Sequence, residues 1–209
     1  GFGWAPADCK QGDGFRIIYL HVPAAFLSMG LYAAMAVRGG CCLIWQHRFS
    51  SYALAALGLV GAAFTFLALA TGAIWGKPMW GTWWVWDARL TSELILLFLY
   101  LGALALYHGY PDRSLAGRAS SILALVGVIN LPIIHYSVVW WNTLHQGATI
   151  ARFDKPAIHS DMLWPLLINL LGFGLLAGAL VSAAFANEML RREAHRGWVR
   201  RLLVAKGDV

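Results

Sequence analysis

The sequence predicts an all-α protein, a polytopic bundle of transmembrane helices, and three observations carry that expectation. Of its 209 residues, 59% are apolar and only 12% are charged, whereas a soluble domain has about 25% charged residues. Mean hydropathy is +0.61. The apolar residues also run in five long stretches. Crossing about 30 Å of hydrocarbon takes roughly 20 helical residues, because no backbone polar group can stay unpaired in lipid. Disorder, collagen, coiled coil and a disulfide scaffold are excluded by the same composition.

The five expected spans are about 19–45, 52–75, 90–107, 120–138 and 163–185. The first opens on Tyr19-Leu20-His21-Val22-Pro23, with Pro23 suited to a first helical turn. The second ends at Trp75 and is followed by a Trp-rich loop over 76–89. The third and fourth are the shortest, and a loop over 139–162 leads from the fourth to the fifth. A basic tail over 188–209 closes the chain, and without an internal repeat the whole of 1–209 reads as one membrane domain.

Lys and Arg in short loops are retained on the cytoplasmic side. Arg48, Arg113, Arg118, Arg191, Arg192, Arg196, Arg200, Arg201 and Lys206 fall on one side, nine against the six of Lys10, Arg16, Lys77, Arg89, Arg152 and Lys155 on the other. The expectation is a multi-pass membrane protein with its C-terminus in the cytoplasm. This topology also accounts for the pI of about 9.5, so no nucleic-acid partner is expected. Five spans leave Gly1 outside, and a further helix before Gly1-Phe2-Gly3-Trp4 would resolve that, making six in all. Cys9, Cys41 and Cys42 are too few for a disulfide framework and read as free thiols.

The outer face carries the most unusual stretch. Trp80-Gly81-Thr82-Trp83-Trp84-Val85-Trp86-Asp87-Ala88-Arg89, with Trp75 before it, puts five of eleven tryptophans in twelve residues. Interfacial belts explain one or two. Flat, rigid, amphipathic rings at this density make a platform for a large planar ligand or an apolar partner. His21 and His145 lie on separate segments that bracket the platform on the same face, while His47, His108 and His195 fall on the other. A lone interfacial His is an ordinary hydrogen-bonding residue. Two of them around a Trp platform suit the axial sites of haem iron, and no thiolate or carboxylate cluster favours zinc. His135, three residues after Pro132, reads as a residue bonding backbone freed by a kink, and His159 as solvated. Arg16, Lys77, Arg89 and Arg152 are candidate partners for the haem propionates, although Arg89 could equally neutralise Asp87 or Glu93. Glu93, four residues on and on the same helix face, is the expected partner.

The Trp80–Arg89 stretch resembles the tryptophan-rich WWD signature of the haem-handling membrane proteins of cytochrome c biogenesis. Tyr19-Leu-His21-Val-Pro, Asn130-Leu-Pro-Ile-Ile-His-Tyr-Ser-Val and Trp140-Trp-Asn-Thr-Leu-His145-Gln-Gly narrow the resemblance to the haem exporter protein C family. It implies six spans with both termini cytoplasmic, and two periplasmic axial histidines falling on His21 and His145. It implies a haem platform covering Trp80, Trp83, Trp84, Trp86 and Asp87, with Arg16 and Arg89 at positions of haem or chaperone contact. The implied cofactor is haem b, held transiently and without covalent bonds. Implied partners are a periplasmic haem chaperone, the ATPase and membrane subunits of an ABC transporter, a small single-helix membrane subunit and the lipid bilayer.

The expected role is haem binding and presentation rather than enzymatic turnover, because no phosphate-binding Gly-x-x-x-x-Gly-Lys-Ser/Thr motif occurs and ATP would be hydrolysed by a partner. Two other readings stay open. One is a cytochrome b-like electron-transfer subunit, and the other a non-haem subunit of an ABC transporter complex.

Overall fold

The computed structural model describes residues 8, 11–141, 143–145, 147, 150, 155 and 158–201. Among them are five helices long and apolar enough to cross a membrane. A short 3-10 turn, Asp13–Ile17, leads into α1, Ile18–Trp45, and α2 follows as Arg48–Trp80. α3 is Ala88–Gly109. α4, Arg113–Gly127, and α5, Asn130–Trp140, lie end to end within one span, and α6 is Ser160–Glu193.

α2 is the centre of the bundle. It packs on α1, α3 and α6, while α4 lies on α1 and α3, and α5 on α3. In its most apolar window 67% of residues are buried by the rest of the chain, against 11% for α6. α6 therefore turns most of its surface outward, including Trp164, Ile168, Leu171 and Leu175. With lipid tails as apolar as leucine, close backbone approach and interhelical hydrogen bonds must join the helices. Gly61 admits the Tyr100 ring and Gly127 the Tyr32 ring, and the two rings meet edge-on at 4.9 Å. The Tyr100 hydroxyl donates to Ser28 O at 2.7 Å, and Asn130 Nδ2 to Ser92 O at 2.8 Å.

The helices depart from the expected spans at three places. α1 starts before His21, so Pro23 lies in its second turn and has no N–H to offer the Tyr19 carbonyl. α2 runs on to Trp80, stopped by Gly81 at φ 78°, whose N–H bonds Lys77 O at 3.0 Å. That left-handed geometry costs glycine little and ends a helix readily. The non-helical stretch before α3 is therefore only 81–87. The fourth span is broken at Val128–Ile129, four residues before Pro132. A proline ring clashes with the carbonyl of residue i−4 and removes its donor. The chain there changes to short-range bonds, Ile129 N to Val126 O and Leu131 N to Val128 O.

Arg38 belongs to none of the loops. It is exposed on α1 seven residues before Trp45, about 10 Å from the helix end at 1.5 Å per residue. A long guanidinium stem shortens that distance by snorkelling towards the helix end.

Candidate functional site

α1 and α2 run antiparallel, so the start of α1 lies against the end of α2. His21 is buried at their contact. Its Nδ1 stands 3.0 Å from Ala68 O and 3.1 Å from Thr71 Oγ1. The Thr71 hydroxyl donates its own hydrogen to Leu67 O at 2.7 Å, and a carbonyl can only accept. Nδ1 must therefore carry the proton that serves both acceptors. This assigns the tautomer and leaves the Nε2 lone pair free, the usual preparation of a metal-binding imidazole. Gly72 is what lets the ring in: a Cβ there would stand 3.1 Å from His21 Cε1.

His145 comes from the stretch after α5, 124 residues away in sequence, and its ring centroid is 5.9 Å from that of His21. A metal atom bound by two imidazoles at about 2 Å each would hold their centroids roughly 6 Å apart. Two tryptophans flank the pair. Trp75 meets His21 edge-on at 5.7 Å, and Trp80 lies 6.0 Å from His145. The space lined by these four with Met79 and Leu90 is about 30 Å³, room for a water or a metal atom. Most of any macrocycle held here would have to extend beyond that enclosure.

The other residues singled out from the sequence are placed differently. Trp83 and Trp86 are 57% and 75% exposed, rings turned outward. Trp84 is half-buried, meets Trp86 edge-on at 5.4 Å, and has an Nε1 without a hydrogen-bond partner among the described residues. Thr82 knots this loop by donating to Trp84 O at 3.0 Å. Asp87 caps α3, accepting Leu90 N at 2.8 Å on one oxygen while the other is buried without a partner among the described residues. Arg16 pairs with Asp13 at 2.8 Å, and Lys77 donates to Gly81 O at 3.0 Å.

Two expected partnerships are corrected. Arg89 Nη1 donates to Ile134 O at 2.7 Å, across to α5, while Glu93 accepts from Ser28 Oγ at 2.7 Å on α1. Helical spacing put the two side chains on one face, but each found a closer partner on a different neighbouring helix. His135 rests against Tyr136 at 4.7 Å. The carbonyl that Pro132 leaves without its usual donor, Val128 O, is served by Leu131 N at 3.1 Å instead. His159 is exposed and caps α6. Cys41 and Cys42 are free thiols. Cys9, Lys10 and Arg152 lie outside the described residues.

Thr71, Gly72 and Met79 were not among the sequence-derived candidates for this site, and Trp75 was read only as part of the tryptophan platform. With Ala68 they recur three or four positions apart on α2, the signature of one helix face. A run of small residues, Ala68, Thr71 and Gly72, followed by large Trp75 and Met79 on that face was the available signal.

A family model described as "Heme exporter protein C" matches residues 1–200. The chain is 57% identical over 208 residues to the heme exporter protein C of Escherichia coli strain K12, covering 99% of this chain and 83% of that one. It is 50% identical over 188 residues to the protein of the same name from Bradyrhizobium diazoefficiens, covering 90% and 72%. It is 47% identical over 174 residues to a ccmC-like mitochondrial protein of cytochrome c biosynthesis in Marchantia polymorpha, covering 83% and 73%.

Proposed function

The chain belongs to the haem exporter protein C family, and from that premise we propose that His21 and His145 are the axial ligands through which it holds haem and presents it. Membership makes it a haem-handling membrane protein of cytochrome c biogenesis. The observation that carries the finer reading is the meeting of two imidazoles from distant segments, 5.9 Å apart, one with its Nδ1 already engaged. Haem is the cargo here. It supplies an iron that two imidazoles saturate, which keeps oxygen away from it during passage.

The two ligands differ in how firmly they are held. His21 is fixed by α1, by Ala68 O and by Thr71, so it is the retaining ligand. His145 lies outside any helix. Its imidazole can leave the iron without breaking a helical turn, which makes it the ligand exchanged at hand-over. Trp75 and Trp80 line the inner edge of the site, and exposed Trp83 and Trp86 offer apolar surface to the outer part of the porphyrin and to a periplasmic chaperone. Arg16 and Arg89 stand at the same end of the bundle for the propionates. The iron-bearing cargo is haem b, held without covalent attachment. The chain works beside the ATPase and membrane subunits of an ABC transporter and a small single-helix subunit, and energy enters through that ATPase.

The test is the absorption spectrum of the purified complex with and without the chaperone. Bis-histidine bands that decay as the chaperone gains covalent haem are the expected result. Intense bands that persist unchanged beside the chaperone would indicate a cytochrome b-like electron carrier, and no bands under any condition a non-haem transporter subunit.

The placement requires the His21 end to be periplasmic, as the arginine-rich opposite end suggests. A reporter functional only outside the cytoplasm is expected to be active when fused after Trp86 or Trp141, and inactive after Arg48 or Arg113. Activity after Trp86 with none after Trp141 would place His145 across the bilayer from the platform and end the shared-site reading.

A further inference from the structure

At the end of the bundle opposite His21, we propose a second site, a basic pocket that takes the phosphate head group of an anionic phospholipid. It is a cavity of about 260 Å³ among the ends of α1, α2, α3, α4 and α6. Arg48 enters it from the start of α2, Arg113 and Arg118 from the first turns of α4, and Arg192 from the end of α6. Loop topology explains why each arginine is on this side. It does not explain why four guanidiniums from three helices line one cavity.

Neighbouring carboxylates neutralise only half of that charge. Arg48 pairs with buried Glu193 at 3.1 Å, and Arg192 with Glu188 at 2.7 Å. Arg113 is exposed and spends one N–H on Arg192 O at 2.8 Å. Neither it nor the exposed Arg118 has an ion pair among the described residues. Two guanidiniums therefore remain for an anion, and their forked donors match phosphate oxygens. The start of α2 adds to this, since His47 precedes it with no side-chain cap, leaving the first N–H groups of a 33-residue helix facing that end.

Depth decides the source of the phosphate. Trp45, 68% exposed, ends α1 beside the pocket, and exposed Tyr110 lies just past α3. Trp and Tyr settle at head-group level. Ile44 on α1 and Leu115 and Ile122 on α4 are also exposed and apolar, a suitable surface for acyl chains. Basic pockets between membrane helices on the cytoplasmic side are a known setting for anionic head groups.

The experiment uses the full chain, delipidated in neutral detergent. Native mass spectrometry and the thermal midpoint are followed during titration with short-chain phosphatidylglycerol, phosphatidylcholine of the same chains, and inorganic phosphate. Phosphatidylglycerol is expected to form a discrete adduct and raise the midpoint saturably, with phosphatidylcholine and inorganic phosphate showing neither effect. Arg113→Gln with Arg118→Gln should weaken phosphatidylglycerol binding about 30-fold, and Arg118→Gln alone about 5-fold. Arg200→Gln with Arg201→Gln removes equal charge elsewhere on this end and should leave affinity unchanged. An equal response to phosphatidylcholine, or equal loss in the Arg200/Arg201 variant, overturns the site. Full stabilisation by inorganic phosphate alone overturns the lipid assignment in favour of a free anion.

Discussion

His21→Ala is expected to empty the haem site, lowering haem retention by on the order of 100-fold or more while the helices still insert. The ring is buried, anchored at Nδ1 and opposed by His145 at 5.9 Å. The measurement is the haem-to-protein ratio of the purified variant with its absorption spectrum. His145→Ala should keep more haem than His21→Ala, since the helix-borne ligand remains, and externally added imidazole should restore its bis-nitrogen spectrum. Thr71→Val separates ligation from mere packing. Valine keeps the shape but not the hydroxyl that accepts from Nδ1, and loss of such a partner costs about 10- to 100-fold in metal affinity. It should also shift the iron reduction potential, which a packing change alone would not do. His47, His108 and His195 variants should match wild type. Unchanged haem content in both His21→Ala and His145→Ala would refute the axial assignment.

The tryptophans are expected to divide by position. Trp80→Ala removes the ring beside His145 and should reduce retention itself. Trp83→Ala with Trp86→Ala removes two outward rings, so protein stability should change by no more than about 0.5 kcal/mol. Loading of the chaperone, however, should fall steeply. A ring that becomes fully covered contributes about 2 kcal/mol, or roughly 30-fold. Two such rings make the combined loss the largest expected for any exposed pair in the chain. The readout is covalent haem on the chaperone, set against haem content of the membrane protein. Adding Trp84→Ala should abolish loading altogether, with some cost in stability because Trp84 is half-buried. Normal loading in the triple variant would reduce the motif to an interfacial anchor.

Much of this was readable from residue order alone, because the physics behind it is one-dimensional. The membrane admits only helices of sufficient apolar length, so five stretches announced the five helices long and apolar enough to cross it among the described residues. His21, His145 and Trp80 could be picked out because rare polar and aromatic residues at that depth stand out from an apolar background. The break at Val128–Ile129 is not legible in residue order, which predicts one continuous span over 120–138: Pro132 removes the donor for the carbonyl four residues earlier, but Pro23, Pro78 and Pro165 do the same inside helices that stay continuous. The end of α2 was harder, because Gly76, Lys77 and Pro78 look like loop residues. Helix continues through them because Pro78 clashes only with the carbonyl at Ile74 and the packed turn absorbs it until Gly81.

What residue order determined about this protein is therefore its class, the number of its long apolar helices and the end at which its two notable histidines lie. The tertiary structure decided which atoms meet. Spacing made Glu93 the natural partner of Arg89, yet the rotation of α3 against α1 and α5 gave Glu93 to Ser28 and Arg89 to Ile134 O. The tautomer of His21 depends on Ala68 and Thr71, 47 and 50 residues away, and the basic pocket on arginines of three helices. The reason is geometric. An apolar pattern specifies that a helix is buried and on which face, but the partner of a polar atom is set by the azimuth and depth at which helices pack, and those follow from all the contacts together.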